Sequence, residues 1–160
     1  MGSNMVLTIG ALLLFGTFLT SSNRLMTGNT QIATQNEYNV TALAIAQSVI
    51  DEAKLKAFDE QTVTQSVVSP LLLTASASLK YDGITETAPS PDTLSSLGYS
   101  SILLYDDVDD YNGYTRTVNT PRAEGYNVSV VVAYASETSP DSSKSTQTYC
   151  KTMKVTVTSS

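Results

Sequence analysis

The stretch Met5–Leu19 reads MVLTIGALLLFGTFL. No charged side chain falls between Met1 and Asn23, and Arg24 is the first. A short polar stretch follows at Thr27-Gly28-Asn29-Thr30. Residues Gln31–Phe58 then read QIATQNEYNVTALAIAQSVIDEAKLKAF. There Tyr38, Ala42, Ile45, Ala46, Val49, Ala53 and Ala57 recur at steps of three and four, the spacing of one helical face. Leu43 and Ile50 widen that face, while Glu37, Thr41, Gln47, Asp51, Lys54 and Lys56 fall mostly elsewhere. The pattern predicts an α+β chain. Its long N-terminal helix, apolar and then amphipathic, packs on a C-terminal antiparallel sheet. Three segments are expected: an apolar helix and break over 1–30, an amphipathic helix over 31–60, and a β-rich head over 61–160. Glycine inside a helix costs about 1 kcal/mol relative to alanine, so 27–30 is expected to kink, melt or link the two halves.

The apolar segment decides the class of function. Its large side chains are Val6, Leu7, Ile9, Leu12, Leu13, Leu14, Phe15, Phe18 and Leu19. Burying them is worth roughly 14–27 kcal/mol at ~1.5–3 kcal/mol each. Three burials are open: a bilayer, for which roughly 20 apolar residues suffice, a signal peptide, or a bundle of identical helices in a polymer. The signal-peptide reading lacks its usual basic n-region, because MGSNM carries no Lys or Arg. Thr8, Gly10, Ala11, Gly16 and Thr17 are small or hydroxylated and allow close helix–helix approach. Assembly through the helix is the reading favoured, with Val6, Leu7, Ile9, Leu12, Leu13, Phe15, Phe18 and Leu19 as the interface.

Composition narrows the rest. The chain has 160 residues, enough for one domain behind the rod. Its net charge of −6 argues against nucleic acid, which selects basic surfaces. Histidine and tryptophan are absent, which removes Ser-His-Asp and Cys-His nucleophiles and the usual Cys/His zinc sites. No catalytic residue and no cofactor is expected. Cys150 is the only cysteine, so no intramolecular disulfide forms. It reads as a small, partly buried strand residue, with an intermolecular bridge as the alternative.

From Thr62 the character changes. Thr62–Val68 is β-prone, Pro70 breaks it, and Leu71–Tyr81 alternates loosely. Asp82–Ser100 holds Gly83, Pro89, Pro91 and Gly98 and reads as an irregular connection. Ser101–Tyr105, Gly113–Val118, Gly125–Ala135 and Thr146–Thr158 read as strands, the last two as an antiparallel hairpin. In Gly125–Ala135 the residues Tyr126, Val128, Val130, Val132 and Tyr134 share one face. Asn39-Val40-Thr41 and Asn127-Val128-Ser129 match a glycosylation pattern but fall inside regular elements, and are discounted.

Between strands lies Asp106-Asp107-Val108-Asp109-Asp110-Tyr111-Asn112-Gly113-Tyr114. Asp106, Asp107, Asp109 and Asp110 are weak calcium candidates, since calcium takes several oxygen ligands. Gly113 sits at the wrong offset for an EF-hand loop. The stronger reading is a turn whose Asp and Asn side chains bond nearby backbone N–H groups. No metal is therefore assigned.

The order of parts resembles the type IV pilins and the pseudopilins of type II secretion. The segment DDVDDYNGY (Asp106–Tyr114), followed by YNVSVVVAY and KVTVTS, is similar to stretches of minor pilin-like proteins, including the mannose-sensitive haemagglutinin kind. At the fifth position, where those pilins carry glutamate, stands Met5. The resemblance implies a homopolymeric, extracellular, pilus-like fibre whose subunit sits in the inner membrane before assembly, with a possible adhesion partner at the cell surface. The alternative is a single-span membrane protein, or a minor pseudopilin, with a small partner-binding β domain. In the fibre reading the Met1 amine is expected to meet polar atoms of Ser3, Asn4 or Thr8 from its own or a neighbouring chain, or to lie in a wet channel.

Overall fold

A computed structural model describes residues 2–82, 90–121 and 125–159. Met1 and the Ser3 side chain lie outside them, and with them the expected contacts of the N-terminal amine. Two compact units divide the chain, 1–40 and 41–160.

Helix α1 runs Gly2–Ala53 without interruption. The break expected at 27–30 is not there. Thr27 Oγ1 donates to the Asn23 carbonyl at 3.0 Å and Thr30 Oγ1 to that of Met26 at 2.9 Å. Side chains that elsewhere compete with the backbone are here folded onto the helix. A single Gly28 costs too little to stop a helix of 52 residues. The helix ends at Ala53, short of the expected 60, where Leu55 N and Lys56 N donate to the Glu52 and Ala53 carbonyls in a tightened last turn.

In the second unit the last part of α1 covers a five-stranded sheet. The strands are β1 Asp92–Thr93, β2 Thr115–Val118, β3 Tyr126–Ala135, β4 Ser143–Lys144 and β5 Lys151–Ser159. β3 is central. β5 runs antiparallel along its whole length, from Tyr126 opposite Ser159 to Tyr134 opposite Lys151. The other edge of β3 is shared by β2, opposite residues 126–129, and β4, opposite 134–135. Between these two, Asn112 completes the ladder: its Oδ1 accepts the Val132 N–H at 3.0 Å. β1 adds to β2 in parallel, so the sheet is mixed rather than purely antiparallel.

The alternation of β3 is realised as read. Tyr126, Val128, Val130, Val132 and Tyr134 are buried and Val131 is exposed. Val128, Val130 and Val132 pack with Ile45, Val49 and Ala53 of α1 and with Tyr105, Tyr111 and Tyr114. The tyrosine rings meet edge to face at centroid distances of 4.9–5.7 Å. This geometry adds to what area burial alone supplies.

One expected strand, Ser101–Tyr105, is helical instead, and neither the β-prone Thr62–Val68 nor the loosely alternating Leu71–Tyr81 forms a strand. The first residues of Thr62–Val68 belong to the short helix α2, Glu60–Val63, which is closed by a capping box between Asp59 and Thr62. Leu71–Tyr81 holds two 3-10 turns, Pro70–Leu72 and Ser76–Ser78. Ser101–Tyr105 falls on helix α3, Ser100–Leu104. The Thr146–Thr158 strand begins later, at Lys151.

Candidate assembly interface

The residues expected to form the interface are all uncovered. Val6, Leu7, Leu12, Leu13, Phe15 and Phe18 expose 60% or more of their surface, and Ile9 and Leu19 about half. Met5 and Leu14 are equally bare. Leu12 to Phe15 are four consecutive large side chains, and successive residues step about 100° round a helix. The rod is therefore apolar on every side, the signature of a helix surrounded by lipid or protein. Its most apolar 18-residue window has a mean hydropathy of 1.8 with none of it buried, and by length and composition it can cross a membrane.

Three threonine hydroxyls of the rod are bonded back onto its own backbone. Thr8 Oγ1 donates to the Asn4 carbonyl at 2.7 Å, Thr17 to Leu14 at 2.9 Å and Thr20 to Gly16 at 2.9 Å. Each of these three threonines is satisfied on its own helix, which lowers the cost of placing it in an apolar environment. Leu13, Gly16, Thr17, Thr20 and Arg24 line a shallow groove along one flank. A Cβ on Gly10 or Gly16 would meet nothing within 4 Å, so no contact of this chain requires glycine there.

The acidic turn resolves into two roles. Asp107 Oδ1 accepts the Asp110 N–H at 3.1 Å, and Asp110 Oδ2 accepts the Asp106 N–H at 3.1 Å, as expected of a side-chain-bonded turn. Asp106, Asp107 and Asp110 bring one oxygen each within 4.8 Å of one another, an arrangement that could hold a cation. Asp109, the fourth candidate, is turned away to pair with Lys151. Burial pushes the Asp107 and Asp110 carboxyls up to about 7, helped at Asp107 by the neighbouring Asp109 and at Asp110 by Asp107. Burial likewise raises Asp109 to about 6 against the pull of Lys151. Asp107 Oδ2 and Asp109 Oδ2 are buried without a hydrogen-bond donor.

Two buried charge networks hold the head together. In the first, Lys151 Nζ lies 2.8 Å from Asp59 Oδ2, donates to Asp109 and reaches the Phe58 carbonyl at 2.8 Å. Asp59 also accepts from Thr74 N at 3.0 Å and Tyr134 OH at 2.8 Å. Burial opposes its ionisation, but Lys151, Thr74 and Tyr134 together hold the carboxyl well below the usual range. In the second, Arg116 Nη2 lies 2.6 Å from Glu52 Oε2 and Arg116 Nε donates to Tyr114 OH at 2.6 Å. Tyr114 in turn donates to Asp92, which accepts the Ser100 and Ser101 N–H groups at 3.1 Å each and so caps α3. The Arg116 guanidinium stacks 3.8 Å from the Tyr99 ring centre. Sequence reasoning missed Arg116 and Glu52. Lys151 carried a signal, since it falls in phase with Met153, Val155 and Val157 on the inward face of its strand.

Compared with known proteins, the chain matches no family, no curated sequence and no solved structure.

Proposed function

We propose that the chain is the structural subunit of an extracellular, pilus-like filament, held in the inner membrane before assembly and polymerising through residues 5–19. One observation carries the reading: a helix apolar on all sides, with its large side chains uncovered and the hydroxyls of Thr8, Thr17 and Thr20 bonded to its own backbone. Such a surface needs a surrounding, and small residues at Gly10, Gly16 and Thr17 let another helix come close. The likeness to type IV pilins in the order of parts supports the same reading. The role is assembly rather than catalysis. Asp59, Asp92 and Asp107 of the head accept backbone N–H groups of the head itself, which supports a structural part for them.

Deleting residues 1–22 should convert the protein to a soluble monomer with the head intact, measured by sedimentation. A truncated protein that still forms the same fibres would overturn the proposal. The second reading is a single-span protein whose head binds a partner outside the membrane, favoured by a window long and apolar enough to span. Negative-stain images of the purified full chain separate the two, because only the first gives filaments.

A further inference from the structure

Lys151 meets its two carboxylates in a setting that suits bond formation as well as charge pairing. Its side chain is 3% exposed, and Nζ donates to both Asp59 and Asp109. The Phe58 ring centre lies 4.5 Å from Nζ and that of Tyr134 5.0 Å, so aromatic walls stand over the amine. Asp59 is fixed from behind by Tyr134 OH and Thr74 N. Asp109 is held less fully, because its Oδ2 is buried with no donor among the described residues. Burial raises the Asp109 carboxyl to about 6 against the pull of Lys151, and the adjoining Asp59 carboxyl adds to the rise. An amine and a carboxylic acid enclosed together are the reactants of an amide bond. Holding them in contact supplies the proximity that free groups in water lack.

We propose that Lys151 Nζ and Asp109 Cγ condense into an intramolecular isopeptide bond, with Asp59 as the proton relay. The ion pair is the state before condensation. One ammonium proton passes to the Asp109 carboxylate, which leaves a neutral amine and a neutral acid. The nitrogen lone pair then attacks Cγ and the C–N bond forms. Asp59 Oδ2, 2.8 Å from Nζ, takes a second proton from the nitrogen and hands it to the departing hydroxyl. The C–O bond breaks and one water leaves. The last proton stays on nitrogen as the amide N–H. The product keeps one Asp109 oxygen where the carboxylate had two, one of them without a donor. It also removes both charges of that pair from the interior, where each is costly to desolvate. The bond ties the 3-10 turn Asp109–Tyr111 to the first residue of β5 and closes a covalent loop that contains β2, β3 and β4. Both residues belong to the second unit, so the bond forms whether or not the rods assemble.

The test is the intact mass of the full chain, unfolded in denaturant, followed by a tryptic map. The chain should weigh one water less than its sequence requires. Trypsin should leave Lys151 uncut and release residues 81–116 joined to residues 145–154 as one branched peptide. Lys151→Arg keeps the positive charge on a group that does not give up its proton, so it should show the complete mass and separate peptides. Asp59→Asn should slow the loss of water by about a hundredfold or more, read as mass against time after synthesis, with folding checked by circular dichroism. A parent chain at its complete mass would overturn the proposal, whether or not either variant folds. So would a chain that has lost water elsewhere, as in a succinimide, and is still cut at Lys151. A folded Asp59→Asn chain that condenses as fast as the parent would overturn the relay.

Discussion

Lys151, the first residue of the last strand, donates to Asp59 at 2.8 Å across 92 residues of sequence. The contact is almost fully buried, with 3% of the lysine side chain exposed and none of the aspartate. Asp109 shares the same ammonium. One cation thus pairs with two carboxylates from separate parts of the chain. Removing it leaves both without their counter-charge. Lys151→Met should cost about 3–5 kcal/mol in urea denaturation of the chain lacking residues 1–22, the range for breaking a buried pair from one side. A loss under about 1 kcal/mol would place the pair with surface ion pairs.

Glu52 and Arg116 form the second clamp, tying the end of α1 to β2. Arg116→Met strands Glu52, and Glu52→Leu strands Arg116. The double variant removes both charges. Its destabilisation should fall short of the sum of the singles by about 1–3 kcal/mol, the coupling expected of residues in one buried network. Additive losses would show that the two side chains stabilise the fold independently.

The head should be more stable in mild acid than at neutral pH. Asp107 and Asp110 are raised to about 7 in the folded protein from an ordinary 3.8. Between these values the folded state binds protons that the unfolded state has released. The stabilisation is complete below about pH 4 and disappears as pH rises through 7. Asp59 works in the opposite sense, because its depressed carboxyl withdraws stability only as pH falls below its ordinary 3.8. The melting temperature should therefore peak near pH 4–5 and fall toward pH 8. Asp107→Asn with Asp110→Asn should flatten that slope. A slope unchanged in the double variant would assign the effect to other groups.

Gly113 turns the chain from the acidic loop into β2 with φ of 83°, in the left-handed region. A Cβ there would meet nothing within 4 Å. Gly113→Ala should therefore cost only the backbone preference, about 1–2 kcal/mol, with native-like spectra. A loss several times larger would mean that the turn cannot accommodate the side chain at all.

What the sequence displayed and what it concealed follow one physical division. The rod, the stripe of Ile45, Val49 and Ala53, and the alternation of β3 are periodic, and period survives in sequence. The segments read wrongly are set by single contacts from elsewhere. Thr62–Val68 has the β-branched composition of a strand, yet Asp59 begins a helical turn at its start. Ser100–Leu104 has no cap of its own, and its free N–H groups are met by Asp92 from another strand. The acidic turn was legible because Asp107 and Asp110 bond to backbone only three and four residues away. The departure of Asp109 toward Lys151 was not, since its partner lies 42 residues further on.

β5 gives this architecture a clock. It pairs with all but the last residue of β3 and brings Lys151, the one cation that Asp59 and Asp109 share among the described residues. Residues 126–135 therefore wait beside an empty edge, and two carboxylates wait unneutralised, until residues 151–159 have left the ribosome. At synthesis rates of about 5–20 residues per second the interval from Asp59 to Lys151 is roughly 5–20 s. The apolar rod is made before any of this begins. A nascent chain thus carries its apolar rod uncovered while its head is still unable to close.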